Sequence, residues 1–337
     1  MKRCISILLL LALLAGLGAC GAAPAEEEDP NKLDIVTTLF PAYDFARQIA
    51  GERARVTLLV PPGAEAHSFE PTARDMVRVR DCDLFFFNGG ESEAWVEELL
   101  EDVEVETLCM LDCVDALEEE VKEGMQAVPE DHDHGGHDHE DEHDHDHEDE
   151  HDEDEHDEDE GPEYDEHVWT SPRNAVRICE ALCERLCMID PAGEEQYREA
   201  LSRYTSQLQA LDAAFRLVVS EGRLHTLVFA DRFPVRYFVE EYGLDYFAAF
   251  PGCADDAEPS ARTVAFLIDR VREEQIPAVL YIEFSNEKMA DVICEDTGCR
   301  KLLFHSCHNV SASDLERGTT YLELMWANVD ALKEALR

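Results

Sequence analysis

Nine histidines crowd into one stretch, His132, His134, His137, His139, His143, His145, His147, His151 and His156, and Asp or Glu fills most of the positions between them. Imidazoles at this density make a metal-binding tract. Neutral imidazole suits Zn, Cu, Ni and Fe, and the surrounding carboxylates raise the local concentration of cations. The stretch has no apolar face to bury, so it is expected to stay solvated. It is read as an insert over residues 130–163 that supplies auxiliary weak metal sites. An inert acidic linker is the bland alternative. Five histidines lie elsewhere: His67, His167, His225, His305 and His308. A lone histidine is usually structural. Several converging beside a metal-binding tract are better read as ligands, and His225, at the start of a strand-like run, is the expected bystander.

The elements around these residues tell where they converge. His67 sits in Pro61-Pro62-Gly63-Ala64-Glu65-Ala66-His67, a stiff loop leaving the branched run Arg55–Val60, and such loops commonly carry ligand groups. His167 precedes Val168-Trp169-Thr170-Ser171-Pro172, where Ser171 can cap a helix that has proline at its first position. His305 ends the apolar run that starts at Leu302, and His308 follows three residues on. Strand-like and helix-like segments alternate on both sides of the insert. Strands are expected near 33–38, 55–60, 83–88 and 103–108, and again near 226–230, 246–250, 278–283 and 302–305. Between the two groups, Tyr197, Leu201, Tyr204, Leu208, Leu211, Phe215 and Val218 fall at helical spacing. They predict one helix to about residue 220, roughly 40 Å long at ~1.5 Å per residue. The reading is α/β: two lobes, each a parallel sheet flanked by helices, joined by one long rigid helix. Ligands of such sheets bind outside the carboxyl ends of the strands, so the histidines at those ends should face a cleft between the lobes.

Composition narrows the partners. The formal charge of −49 over 337 residues argues against nucleic acid, which wants a basic surface, and favours cations. Residues 1–20 read as a targeting segment, with Lys2 and Arg3 before the apolar run Ile5–Leu14, which is too short for a membrane span. Leu17-Gly18-Ala19-Cys20 resembles the lipobox of bacterial lipoproteins, which implies acylation of Cys20 and anchoring at the extracytoplasmic face of the cell membrane; an ordinary secretory signal is the alternative. Residues 21–31 form a polar tether, 32–190 the N-terminal lobe with its insert, 191–220 the linking helix and 221–337 the C-terminal lobe. Of the 12 cysteines, Cys179, Cys183 and Cys187 recur every four residues and are expected to pack as small apolar groups, while Cys294 and Cys299 are close enough in sequence to bridge.

The chain resembles the zinc/manganese family of ABC-transporter substrate-binding lipoproteins, of the high-affinity zinc-uptake (cluster A-I) type. The residues that carry the resemblance are PPGAEAHSFEPT, similar to the loop with the first ligand histidine; DEHVWTSP, similar to the second ligand segment, normally Asp-Pro-His; the acidic, His-rich insert between them; and DPAGEEQYREALSRYTSQLQALDAAF, similar to the linking helix. The match extends over essentially the whole mature chain. It implies Zn(II) as the transported ligand, an ABC permease in the cytoplasmic membrane as partner, and a monomer with no enzymatic activity. Two segments depart from the pattern. The third family ligand, a His or Glu after the first strand of the second lobe, is missing from Val228–Phe238, where Asp231 is the acidic group at about the right place. The fourth position, normally Asp at the end of a late strand, holds His305. The expected metal ligands are therefore His67, His167, His305 and Asp231. Glu283 and His308 stand in reserve, Glu283 also as an acceptor that fixes a ligand's tautomer.

Three imidazoles and one carboxylate in a tetrahedral array suit Zn(II), whereas Mn(II) wants more oxygen donors. Mn(II) or another divalent metal in the same role is one alternative. A different class is an extracellular zinc hydrolase, but the sequence has no H-E-x-x-H and no G-x-S-x-G. A metal-buffering or adhesive surface protein without a transporter is the third.

Overall fold

In the computed structural model, residues 32–126, 163–254 and 259–337 are described. The signal, the tether, Cys20 and the nine histidines of the insert lie outside them. The first half runs β1 (Leu33–Thr37), α1 (Phe40–Ala50), β2 (Ala54–Leu58), α2 (Ala73–Asp81), β3 (Leu84–Phe87), α3 (Trp95–Asp102) and β4 (Thr107–Cys109). Two helices follow the insert: α4 (Pro172–Ile189) and α5 (Glu194–Glu221). The second half runs β5 (Thr226–Arg232), α6 (Arg236–Tyr242), β6 (Asp245–Phe250), α7 (Ala261–Glu273), β7 (Ala278–Tyr281), α8 (Lys288–Thr297), β8 (Arg300–Leu303), α9 (Ala312–Arg317) and α10 (Tyr321–Ala335).

Each half contains one four-stranded parallel sheet, in the orders β2-β1-β3-β4 and β6-β5-β7-β8. The two orders follow the same pattern. Alternate residues of the central strands feed different cores: Ile35 one and Val36 another, Leu227 and Phe229 one, Val228 and Ala230 another. Successive side chains of a strand point to opposite faces, so both faces of each sheet are covered. That is why these strands read as continuous apolar runs.

Local chemistry sets the helix ends. Thr72 forms a reciprocal capping box with Asp75 at the start of α2, and Ser171 accepts from Asn174 N–H with Pro172 at the first helical position of α4. Gly243 and Gly298 take left-handed backbone at the ends of α6 and α8, a conformation that glycine adopts without strain. α9, capped by Ser311, was not anticipated: its six residues are too few to show a helical period.

α5 has 28 residues, about 42 Å at ~1.5 Å per residue. Tyr197, Tyr204, Leu208, Leu211 and Phe215 along it are buried, while Leu201 and Val218 at the edges of the stripe are half-buried. Its start is fixed by Asp190, which accepts from the Arg53 Nε at 2.8 Å and from the Tyr197 hydroxyl at 2.6 Å. The helix does not stand alone between two separate cores. One continuous cluster joins Phe45 and Trp169 of the first half to Phe238, Phe304 and Met325 of the second. α10 returns across the molecule: Tyr321 N–H donates to Asp44 of α1 at 3.0 Å, and its hydroxyl to the Trp169 carbonyl at 2.7 Å. The two halves therefore share one continuous core.

All ten described cysteines are free. Cys179 and Cys183 lie on the buried face of α4, as expected of small apolar groups, and Cys294 and Cys299 face each other with sulfurs 3.4 Å apart.

Candidate metal centre

Three loops meet at the carboxyl ends of the two sheets. The loop after β2 brings His67, the turn before α4 brings His167, and the loop after β8 brings His308. The ring centroids lie 5.5 Å apart for His67 and His167, 4.6 Å for His67 and His308, and 5.2 Å for His167 and His308. One donor atom from each falls within 4.8 Å of the others. They line a small cavity of about 20 Å³, room for a single ion or water.

Each of the first two rings is held by a carboxylate two residues earlier. His67 Nδ1 lies 2.9 Å from Glu65 Oε1, and His167 Nδ1 lies 3.2 Å from Asp165 Oδ1, which also accepts the His167 N–H at 2.9 Å. A carboxylate on Nδ1 makes it the protonated nitrogen, so the lone pair sits on Nε2. In both residues Nε2 is buried without a hydrogen-bond partner. Buried polar atoms are nearly always satisfied, so two orphaned imidazole nitrogens facing one cavity fit a metal. The charges are consistent. Burial alone would lower the His167 pKa, but Asp165, with Glu166 and Glu119, raises it. Burial and the neighbouring His67 and His167 push His308 well down, so it stays neutral and available as a donor. The hydrogen bond from His67 and the Arg232 guanidinium, 3.0 Å away, hold the Glu65 carboxyl well below its usual range.

The structure does not bring His305 and Asp231 to this point. His305 Nδ1 accepts the Cys307 N–H at 2.9 Å, and its backbone is clamped by Asn328, which accepts from its N–H at 2.7 Å and donates to its carbonyl at 2.8 Å. The ring is spent on closing a tight turn in which Cys307 has φ +64°. That turn reverses the chain and carries His308, three residues on, into the cluster. Asp231 accepts from the backbone N–H of Arg232 at 2.9 Å and of Ile282 at 3.3 Å, and burial raises its pKa. It lines a separate cavity of about 630 Å³ beside the cluster. Glu283 does not touch a cluster ring. It accepts the Ser306 N–H at 2.7 Å and the Ser306 hydroxyl, and that same hydroxyl accepts the His308 N–H at 3.1 Å. Glu283 thus positions the loop. Asn309 ties the loop to the His67 loop by donating to the carbonyls of Pro61 at 2.8 Å and Ala64 at 2.9 Å. His225 is exposed at the start of β5, apart from the cluster.

Sequence reasoning missed Glu65 and Asp165. The signal was present as an acidic residue two positions before each histidine, a spacing that lets one carboxylate reach both the ring and the backbone N–H.

Behind the centre, buried Glu93 accepts the N–H groups of Asn88 and Gly89, both at 2.8 Å, and Asn88 donates to the Glu166 carbonyl at 2.9 Å. Burial pushes the Glu93 carboxyl up to about 7. A carboxyl whose pKa is raised on folding stabilises the fold below its unfolded value and loses that contribution as pH rises through the folded one. The unfolding free energy of the native chain, from urea denaturation, is therefore expected to fall relative to Glu93→Gln between about pH 4.5 and 7, by up to about 3 kcal/mol. Equal pH profiles for the two proteins would contradict the assignment.

A model of the family described as zinc-uptake complex component A, periplasmic (ZnuA) matches residues 35–335. The zinc-binding lipoprotein AdcA of Streptococcus pneumoniae serotype 4 is 29% identical over 331 residues, covering 97% of this chain. This chain spans about 60% of the length of that relative. The high-affinity zinc uptake system protein ZnuA of Bacillus subtilis is 27% identical over 338 residues, covering 99% of this chain and 98% of the relative. Among solved structures, the Zn(II)-bound ZnuA-like domain of Streptococcus pneumoniae AdcA superposes with a TM-score of 0.69 at 26% identity, covering 90% of this chain and 99% of that one.

Proposed function

Since the chain belongs to the ZnuA family of zinc-uptake components, we propose that it is the extracytoplasmic receptor of an ABC importer, capturing Zn(II) at His67, His167 and His308 and delivering it to a membrane permease. The observation that carries the reading is the convergence of three imidazoles, two of them with buried, unpartnered Nε2 atoms and carboxylate-held Nδ1 atoms. A nitrogen-rich set of this kind suits Zn(II), with Zn–N near 2.0–2.1 Å, over Mn(II), which prefers oxygen. It binds rather than activates: nothing in the sequence pairs the donors with a metalloprotease or esterase motif.

Residues 1–20 act as a lipoprotein signal, Cys20 carries the lipid and residues 21–31 are the tether. Residues 32–190 and 221–337 are the lobes, joined by 191–220, and the receptor works as a monomer. No helix among the described residues is long and apolar enough to cross a membrane. The insert histidines scavenge metal at lower affinity.

Competitive binding tests the reading. Residues 127–162 are replaced by a short Gly-Ser linker, Zn and Mn are offered together, and bound metal is counted. One tightly held Zn per chain is expected, with the weaker extra sites gone. Preferential Mn, or loss of all tight binding, would overturn it. Because the ligands must shed protons, affinity should fall as pH drops.

A further inference from the structure

His67 belongs to two donor groups. Besides the three-imidazole set, one donor atom each of His67, Glu166 and Cys253 lie within 4.8 Å of one another. The His67 side chain is only 6% exposed and its Nε2 has no partner. Glu166 is buried, its carboxylate held by the Ser92 N–H at 2.8 Å and by the Ser92 hydroxyl. Cys253 sits against the Glu166 backbone amide, and its own N–H donates to Glu119 Oε1 at 3.1 Å. We propose that His67, Glu166 and Cys253 form a transfer site for a divalent cation of borderline softness, from which the ion passes to His167 and His308 while His67 stays bound. The proposal rests on the three-imidazole reading of the main site.

Imidazole, carboxylate and thiolate are all zinc donors, and Zn–S near 2.3 Å with Zn–O near 2.0–2.2 Å requires only a small closure of the observed group. The ion displaces the Cys253 proton to solvent, since a coordinating thiol is deprotonated. Because the two groups share one residue, a single ion occupies one or the other, and the set richer in imidazole is the resting place.

The surroundings give the direction of travel. On the Cys253 side the wall is acidic. Glu163, where the described chain resumes after the insert, pairs by its carbonyl with the Glu119 N–H at 2.9 Å. Burial and the crowding of Glu119, Glu91 and Glu166 lift its carboxyl to about 7. An incoming cation relieves that crowding. On the Asp231 side, Arg232, engaged with Glu65, lines the larger cavity, and its charge opposes entry of a cation from that direction.

Co(II) on the full-length chain is the probe, because thiolate ligation gives a near-ultraviolet charge-transfer band that imidazole and carboxylate do not. In His308→Ala the band is expected to persist at one equivalent of Co(II) and to vanish in His308→Ala/Cys253→Ser. In the native chain, rapid mixing should show the band appear and decay. Cys253→Ser and Glu166→Gln should each slow Zn capture severalfold, a larger change than in the equilibrium Kd, which a merely structural role would not produce. No band in a folded His308→Ala, or a band that survives Cys253→Ser, overturns the proposal. Should His308→Ala not fold, unchanged capture rates in the two single variants do so instead. Tight Zn binding without these signatures sinks only the transfer site, whereas no tight Zn in the native chain sinks the receptor reading as well.

Discussion

His308→Ala is expected to weaken zinc binding by about two orders of magnitude, and His305→Ala to leave it within a few-fold of native. Structural zinc sites hold their ion with roughly 10–16 kcal/mol. Shared over three donors, the lower end of that range is about 3 kcal/mol per ligand, or about a hundredfold in Kd. His308 contributes a half-buried, neutral ring 4.6 Å from His67 and 5.2 Å from His167. His305 contributes a turn: it accepts the Cys307 N–H and leans on Glu283 at 3.4 Å. Its removal loosens the loop without taking away a donor, and the cost should appear mainly in stability. Isothermal titration against a competing chelator decides the matter. A hundredfold loss in His305→Ala with little change in His308→Ala would reverse the assignment.

Trp169→Ala is expected to damage stability and binding together. The indole is fully buried and lies 5.5 Å from the His167 ring and 5.2 Å from that of His308. Its Nε1 donates to the Ser306 carbonyl at 2.8 Å, a bond between the turn that carries His167 and the loop that carries His308. Truncating a buried tryptophan typically costs about 3–5 kcal/mol, and here it also leaves the Ser306 carbonyl without its donor. Urea denaturation should show that loss. Zinc affinity should fall by about 10–100-fold, as for other groups that orient ligands. Trp169→Phe should recover most of the packing but not the bond between the two segments. If Trp169→Ala bound zinc as tightly as the native chain, the two loops would have to be positioned independently of the indole.

Much of the architecture was legible because it is written in local or periodic signals. Apolar runs bounded by turn residues gave the parallel strands, and the four-and-three spacing from Tyr197 to Phe215 gave α5. Ser171 marked the start of α4 through capping, which depends on neighbours within a few residues. β4 was expected to start four residues earlier than it does, since a three-residue edge strand carries little period. α9 was invisible for the same reason.

The site divides along the same line. By itself, the sequence determined that His67 and His167 stand where chain segments leave secondary structure, that the chain is built to attract cations, and that α/β alternation would bring strand ends together. Only the tertiary structure decided which late histidine joins them. His305 and His308 are three residues apart, and which ring faces the cluster depends on a reversal at Cys307 with φ +64°. That reversal is imposed by Asn328 of α10, Glu283 after β7 and Asn309 bonded to the His67 loop. Asn328, Glu283 and the His67 loop that Asn309 bonds are all remote from His308 in sequence, and no periodicity or propensity encodes their meeting. The same holds for Cys253 and Glu166, which distant segments place beside His67. Residue types fix what a site can bind, while packing across the fold fixes which of them meet.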